Sequence, residues 1–270
     1  MTSIDSGTGA YVSVEGLEVS VGDGVLSLTL NRPDSLNSLT ATMLNGIADA
    51  LDAAASDAAV KVVRLAGAGR GFSSGAGISA DDQNKKAGGL TVLDAANRAI
   101  RSIVALPRPV VAVVQGPAAG VGASLALACD VVMASDKGYF MLAFTKIGLM
   151  PDGGASALVA AAVGRIRAMR MALLADKIHA DEAFQAGLVT AVHPAEELDA
   201  AVDKVISTLA RGPVVALAKT KDAINSTTLT ELEADLEREH TGQAALLRGT
   251  DYREGIKAFQ ERRAASFTDS

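Results

Sequence analysis

Hydrophobic and polar positions change their period several times along this chain, and each change marks an element. Leu17 to Val21 and Val25 to Leu30 are apolar-rich runs on either side of Gly22-Asp23-Gly24. A turn of that composition between two such runs predicts a β-hairpin. From Thr40 to Leu51 the apolar residues Met43, Leu44, Ile47 and Leu51 recur at the spacing of one helix face. Val60 to Leu65, Val110 to Val114 and Val131 to Met133 read as strands separated by helical segments. Such alternation predicts parallel pairing through right-handed crossovers. After Val192 the pattern turns helical throughout. Leu198, Val202, Val205, Ile206 and Leu209 mark one helix, Pro213 restarts another, and Leu229 to Leu247 and Tyr252 to Arg263 continue in the same character. The expected organisation is an α/β core over residues 1–195 and a helical C-terminal region over residues 196–270, without internal repeats or low-complexity segments.

Composition narrows the function classes. A chain of 270 residues with 49% hydrophobic content buries a substantial core. Thirty-one acidic against 25 basic residues give a net charge of −6 with no dominant basic run, which argues against nucleic acid or an anionic membrane as the main partner. The opening Met-Thr-Ser-Ile-Asp-Ser-Gly has neither the basic nor the apolar part of a secretory signal, and no stretch reaches the length of a membrane span without polar interruption. The single Cys129 closes no intrachain disulfide and suits a reducing compartment. A soluble, cytoplasmic protein is expected. Three histidines and one cysteine lie far apart, so no metal-ligand spacing is present.

Candidate chemistry gathers in two glycine-rich segments and one turn. Gly116-Pro-Ala-Ala-Gly-Val-Gly-Ala-Ser124 follows the strand-like run at Val110 to Val114 and leads into a helix opening at Ala123. A glycine-rich turn there leaves backbone N–H groups free at a helix N-terminus, where developing negative charge is favoured. Gly67 to Gly77 forms a second cluster and contains Gly71-Phe-Ser73-Ser-Gly75, the spacing of a nucleophile elbow. On that reading Ser73 is the nucleophile of a hydrolase, with His179, His193 or His240 as its base. The context favours an extended loop with exposed amides, because an elbow needs a strand directly before the serine and a helix directly after. Asp152, in Pro-Asp-Gly-Gly, is a candidate lone acid/base; its competing reading is a turn residue that caps the helix behind it. Asp130 reads as a capping or pairing residue, and the three histidines as surface or packing residues.

Taken in order, these segments resemble the crotonase superfamily, also called the enoyl-CoA hydratase/isomerase family. Leu30-Asn-Arg-Pro-Asp-Ser-Leu-Asn-Ser-Leu39 resembles its opening motif and Arg70 to Ile78 its first oxyanion loop. Gln115 to Leu125 is similar to the second loop, and Asp251 to Arg263 to the C-terminal helix. The resemblance implies a spiral of ββα units with a helical trimerisation region, in a homotrimer or a dimer of trimers. It implies an acyl-CoA thioester whose carbonyl oxygen is held by the backbone amides of Ala76 and Val121. Coenzyme A enters as part of the substrate, and no separate cofactor or metal is implied. Substrate contacts are implied for Ser38, Ser74, Gly75, Ala76 and Ile78 around the first loop. Val121, Ser124 and Phe144 are the matching residues around the second, and Arg262 matches a basic position that reaches CoA phosphates. Arg262 reads equally as an exposed helix charge, and Phe144 with Met141 as either acyl pocket or core.

Two loop positions depart from the pattern. Val121 stands where glycine is usual and Gly77 where aspartate is usual, and a β-branched residue needs negative φ. The two glutamates of the family's hydratases are matched here by Ser124 and Phe144, neither of which serves as a carboxylate base. Asp152 matches the position where several isomerases and a dehalogenase of the family carry their working carboxylate. The runs around Ala118 to Leu127 and Met141 to Asp152 look especially like the ring-1,2-epoxyphenylacetyl-CoA isomerase branch. The expectation is an acyl-CoA isomerase that shifts a double bond from C3 to C2, or rearranges a related ring-derived thioester. The alternatives are a hydratase with non-standard acid/base residues, a non-catalytic acyl-CoA-binding protein, and the serine hydrolase built on Ser73.

Overall fold

The N-terminal hairpin forms where its turn chemistry places it. In the computed structural model, which describes residues 11–77 and 89–268, β1 (Leu17–Gly22) and β2 (Val25–Leu30) pair antiparallel. Asp23 and Gly24 between them have φ of +50° and +81°. Positive φ at both central residues is the requirement of a two-residue turn that matches strand twist. Of the sequence-derived candidates, Ile78 lies outside the described residues.

From β2 the sheet grows by parallel addition in the order β1-β2-β3-β4-β6-β9, with β3 (Val62–Gly67), β4 (Val110–Val114), β6 (Val131–Ser135) and β9 (Ala191–His193). Register aligns Leu28 with Leu65, Leu65 with Ala112, and Ala112 with Val132. That row faces the main core, where α1 (Ala41–Ser56), α2 (Gly89–Ala105) and α3 (Val121–Leu127) pack. α1 opens on Thr40, whose hydroxyl accepts the Met43 N–H at 3.2 Å and so satisfies one orphan donor of the first turn. The alternate residues, Val62, Val111, Val113 and Met133, face the other way and are covered by Leu198, Val202 and Ile206 of α6 (Leu198–Ala210). Apolar residues on both faces are the mark of a parallel sheet with helices on each side.

A second sheet of β5 (Pro117–Ala119), β7 (Tyr139–Met141) and β8 (Ile178–His179) stands beside the first. α4 (Ala155–Leu174) follows, broken at Gly164 (φ +75°, ψ 162°), and α5 (Ala180–Ala186) leads to β9. Beyond α6 lie α7 (Val214–Thr228), α8 (Leu232–Leu246) and α9 (Thr250–Gln260), which with α6 make up a helical C-terminal region.

These last helices pack into the body of the molecule. Leu232 and Leu236 of α8 are buried in the chain's own main core. Lys221 of α7 is buried; its ammonium pairs with Asp130 at 2.9 Å and donates to the Ile103 and Arg108 carbonyls. Asp130 also accepts the Val110 N–H at 2.7 Å, so it is the pairing residue its context implied. Among the described residues no helix is long and apolar enough to cross a membrane.

Candidate active site

The first glycine loop is suspended from two side-chain amides, one buried and one half-buried. Asn37 donates through Nδ2 to the Ala68 and Gly71 carbonyls at 2.9 and 2.8 Å, and its Oδ1 accepts the Arg32 N–H. Gln115 donates to the Gly67 and Gly71 carbonyls from the other side, at 2.7 and 2.8 Å. Further along, Leu39 accepts the Gly77 N–H and donates to the Gly75 carbonyl. In a parallel bridge of this kind the residue between, Ala76, turns its own N–H and C=O to the opposite edge. Its N–H donates to nothing among the described residues.

Ser73 lies inside this scaffold. It is fully buried, its Oγ donates to the Asn37 carbonyl at 2.9 Å and accepts the Gly75 N–H at 3.1 Å, and no histidine is bonded to it. That geometry corrects the nucleophile reading: a hydroxyl closed into two loop bonds offers neither a base nor a path for substrate. His240 pairs with Asp94 at 3.1 Å, and His179 lies beside the Tyr139 ring. Among the described residues the cavity wall carries no histidine.

The second loop meets the first directly. Ala119 N–H donates to the Ser73 carbonyl at 2.9 Å, and a Cβ on Gly75 would come within 2.8 Å of the Ala119 carbonyl oxygen, so a larger residue there would force the loops apart. Gly120 takes φ +52° and Val121 then opens α3. The positive φ falls on the glycine, and Val121 is absent from the residues with positive φ, so the β-branched side chain is accommodated. As the first residue of the helix, Val121 has an N–H with no intrahelical partner, and none is found elsewhere among the described residues.

Ala76, Val121 and Asp152 line one cavity of about 730 Å³, together with Ser38, Ser74, Gly75, Met141 and Phe144. That volume is in the range of small-molecule sites. Two of the described substrate candidates are not on its wall. Ser124 is fully buried behind it and donates its Oγ to the Asp152 carbonyl at 2.8 Å, which makes it a brace for the Asp152 turn. Arg262, just beyond α9, is exposed and off the wall, which Phe259 and Tyr252 of α9 reach instead.

Asp152 does not cap the helix behind it. The first turn of α4 is held by Glu239 of α8, which accepts the Gly154 and Ser156 N–H groups at 2.7 and 2.8 Å. The Asp152 carboxylate takes one hydrogen bond, from Gln243 Nε2 to Oδ2 at 2.7 Å, while Oδ1 is buried with no partner among the described residues. Burial pushes its pKa up to about 7; the Gln243 hydrogen bond opposes that shift and the charge of Glu239 adds to it. A carboxyl group in that range takes and returns protons at neutral pH. Gln243 and Glu239 carry no local sequence signal for this role, since they stand 91 and 85 residues from their partners.

A family model for enoyl-CoA hydratase/isomerase matches residues 20–270. The chain belongs to the enoyl-CoA hydratase/isomerase family. It is 37% identical over 254 residues to the 1,2-epoxyphenylacetyl-CoA isomerase of Escherichia coli K12, covering 92% of this chain and 96% of that protein. It is 39% identical over 261 residues to a probable enoyl-CoA hydratase of Rhodobacter capsulatus, covering 95% and 99%. A crystal structure of an enoyl-CoA hydratase from Mycobacterium avium subsp. paratuberculosis K-10 is 64% identical, covers 94% of this chain and 99% of that one, and superposes with a TM-score of 0.88. The fold is therefore the crotonase-like α/β fold with a helical C-terminal region, in a family of acyl-CoA enzymes.

Proposed function

We propose that this family member is an acyl-CoA isomerase that moves a double bond from C3 to C2 of a thioester, or rearranges a related ring-derived thioester. The observation that carries the reading is that, among the described residues, Asp152 is the one carboxylate with a buried oxygen on the cavity wall; the other acidic residue described there, Glu15, is exposed. Asp152 takes the C2 proton, the C–H electrons move through the carbonyl onto the thioester oxygen, and the amides of Ala76 and Val121 hold the resulting dienolate. Asp152 then returns the proton at C4. Two fixed donors in a water-poor cavity suit that charge, and removing one such donor typically lowers rate by about 10²–10³.

Hydration needs a second acid/base group to deliver water. The positions that match the hydratase glutamates hold Ser124, behind the wall, and Phe144, an apolar wall residue. The exposed ammonium of Lys146 on the rim suits a CoA phosphate. As in the family generally, a homotrimer or dimer of trimers is the assembly we propose.

The test is incubation of the purified protein with a 3-enoyl-CoA and a 2-enoyl-CoA, followed by chromatographic separation of the isomers and mass detection. Isomerisation leaves the mass unchanged and hydration adds one water. Conversion of the 3-enoyl substrate with little hydration of the 2-enoyl one is expected. Efficient hydration of the 2-enoyl substrate would establish the hydratase reading instead, and binding without turnover would mark an acyl-CoA-binding protein.

A further inference from the structure

We propose that Gln243 is a positioning residue that holds Oδ2 of Asp152 and thereby makes Oδ1 the oxygen that carries the proton. The proposal rests on the reading of Asp152 as the acid/base. Its basis is the orientation of the Gln243 side-chain amide. The carbonyl oxygen, Oε1, accepts the Met150 backbone N–H at 3.3 Å, which turns the NH₂ group towards Asp152. That NH₂ group donates to Oδ2 at 2.7 Å. An amide NH₂ donates and does not accept, so Oδ2 stays unprotonated in both states of the carboxyl group. The proton of the acid form then belongs to Oδ1, the buried oxygen without a partner among the described residues.

The same helix face fixes the segment at its other end. Glu239 lies one turn before Gln243 and holds the Gly154 and Ser156 N–H groups. Residues four apart share a face, so α8 grips the chain on both sides of Asp152. Neither residue belongs to the two glycine loops. The third turn of the site is thus aligned by the C-terminal helices.

The titratable groups around Asp152 are Glu239 behind it and, on the cavity wall, Tyr139, Lys146, Tyr252, Arg32 and Glu15. None of them is altered by substitution at Gln243. Q243M removes the donor and nearly keeps the shape. Q243E also removes the donor, but keeps an acceptor for the Met150 N–H and adds a like charge beside Asp152.

Activity of the base requires the ionised carboxylate, so kcat/KM rises with pH through its pKa. Loss of a hydrogen bond to the charged form moves that rise to higher pH, by about one to two units for Q243M. Q243E should move it further, with KM for the CoA ester little changed in both. The carboxyl ¹³C titration of Asp152, identified by its loss in D152N, should move in the same direction and does not depend on turnover. A fall in kcat with the pH profile and the carboxyl titration both unmoved would make Gln243 a structural residue and overturn the proposal. Full turnover by D152N would instead overturn the reading of Asp152 itself, and this role with it. An inactive D152N beside unmoved Q243M and Q243E profiles leaves that reading standing and removes only the role of Gln243.

Discussion

At the scale of single residues the site depends on how water is kept from one carboxyl group. Replacing Asp152 by Asn keeps the shape and removes the base, so turnover should fall about 10²–10⁴-fold while acyl-CoA binding stays nearly intact. Stopped-time product assays beside a binding titration check it, and a fewfold loss would sink the assignment. The same carboxylate works against stability. Its pKa in the folded protein is raised to about 7 by burial, against about 3.9 in an unfolded chain. Between those values the folded state holds the extra proton, so stability is highest at the acidic end of the window and falls as pH rises through it. Asn has no such loss. D152N should therefore melt above the wild type at pH 8, by an amount on the order of a few kcal/mol at most, and the gap should close towards pH 4. Thermal unfolding at both pH values decides it. Asp152 itself was legible as a lone acid in a turn. Its surroundings were not, because burial of Oδ1 and the Gln243 bond arise from a helix 91 residues downstream.

At the scale of elements the strongest short-range signals were the most faithful. The hairpin around Asp23-Gly24 and the helix capped by Thr40 follow from turn and capping chemistry that acts within a few residues. The nucleophile-elbow spacing around Ser73 misled for the complementary reason. Its glycines serve a loop whose shape is set by Asn37 and Gln115, both distant in sequence. The same holds for α4, which has no capping side chain of its own and borrows Glu239 from α8. Replacing Glu239 by Ala would leave two N–H groups without their acceptor, at a cost of about 1–3 kcal/mol. Because Gly154 is two residues from Asp152, kcat should fall as well, while KM changes less. Denaturant unfolding and steady-state kinetics on E239A read the two effects separately. Unchanged stability would mean that water replaces the carboxylate there.

At the scale of the molecule, the helical character of the C-terminal part was legible, but where those helices pack was not. Apolar residues on α6 and α8 cannot reveal from sequence whether their partner is the chain's own sheet or another subunit. Leu198, Val202 and Ile206 cover the chain's own sheet, and Leu232 and Leu236 enter its core. The apolar surface left over lies elsewhere. Beyond the break at Gly164, α4 exposes Ile166 at 76% and Leu173 at 65%, seven residues apart on one face, with Leu174 beside them; Phe259 on α9 is 58% exposed. Apolar side chains gathered along one exposed helix face are normally covered by another surface. With the assembly proposed for this chain, cyclic contacts between copies would cover them. Light scattering at low micromolar concentration should give a trimer or hexamer mass for the wild type. The double substitution Ile166→Glu with Leu173→Glu alters exposed positions, so the subunit should still fold, as read by circular dichroism, while the assembly dissociates. A wild-type protein of monomer mass with full activity would refute the assembly. A double variant that stays fully assembled would clear this face and move the contact to another, with Phe259 on α9 the next position to test.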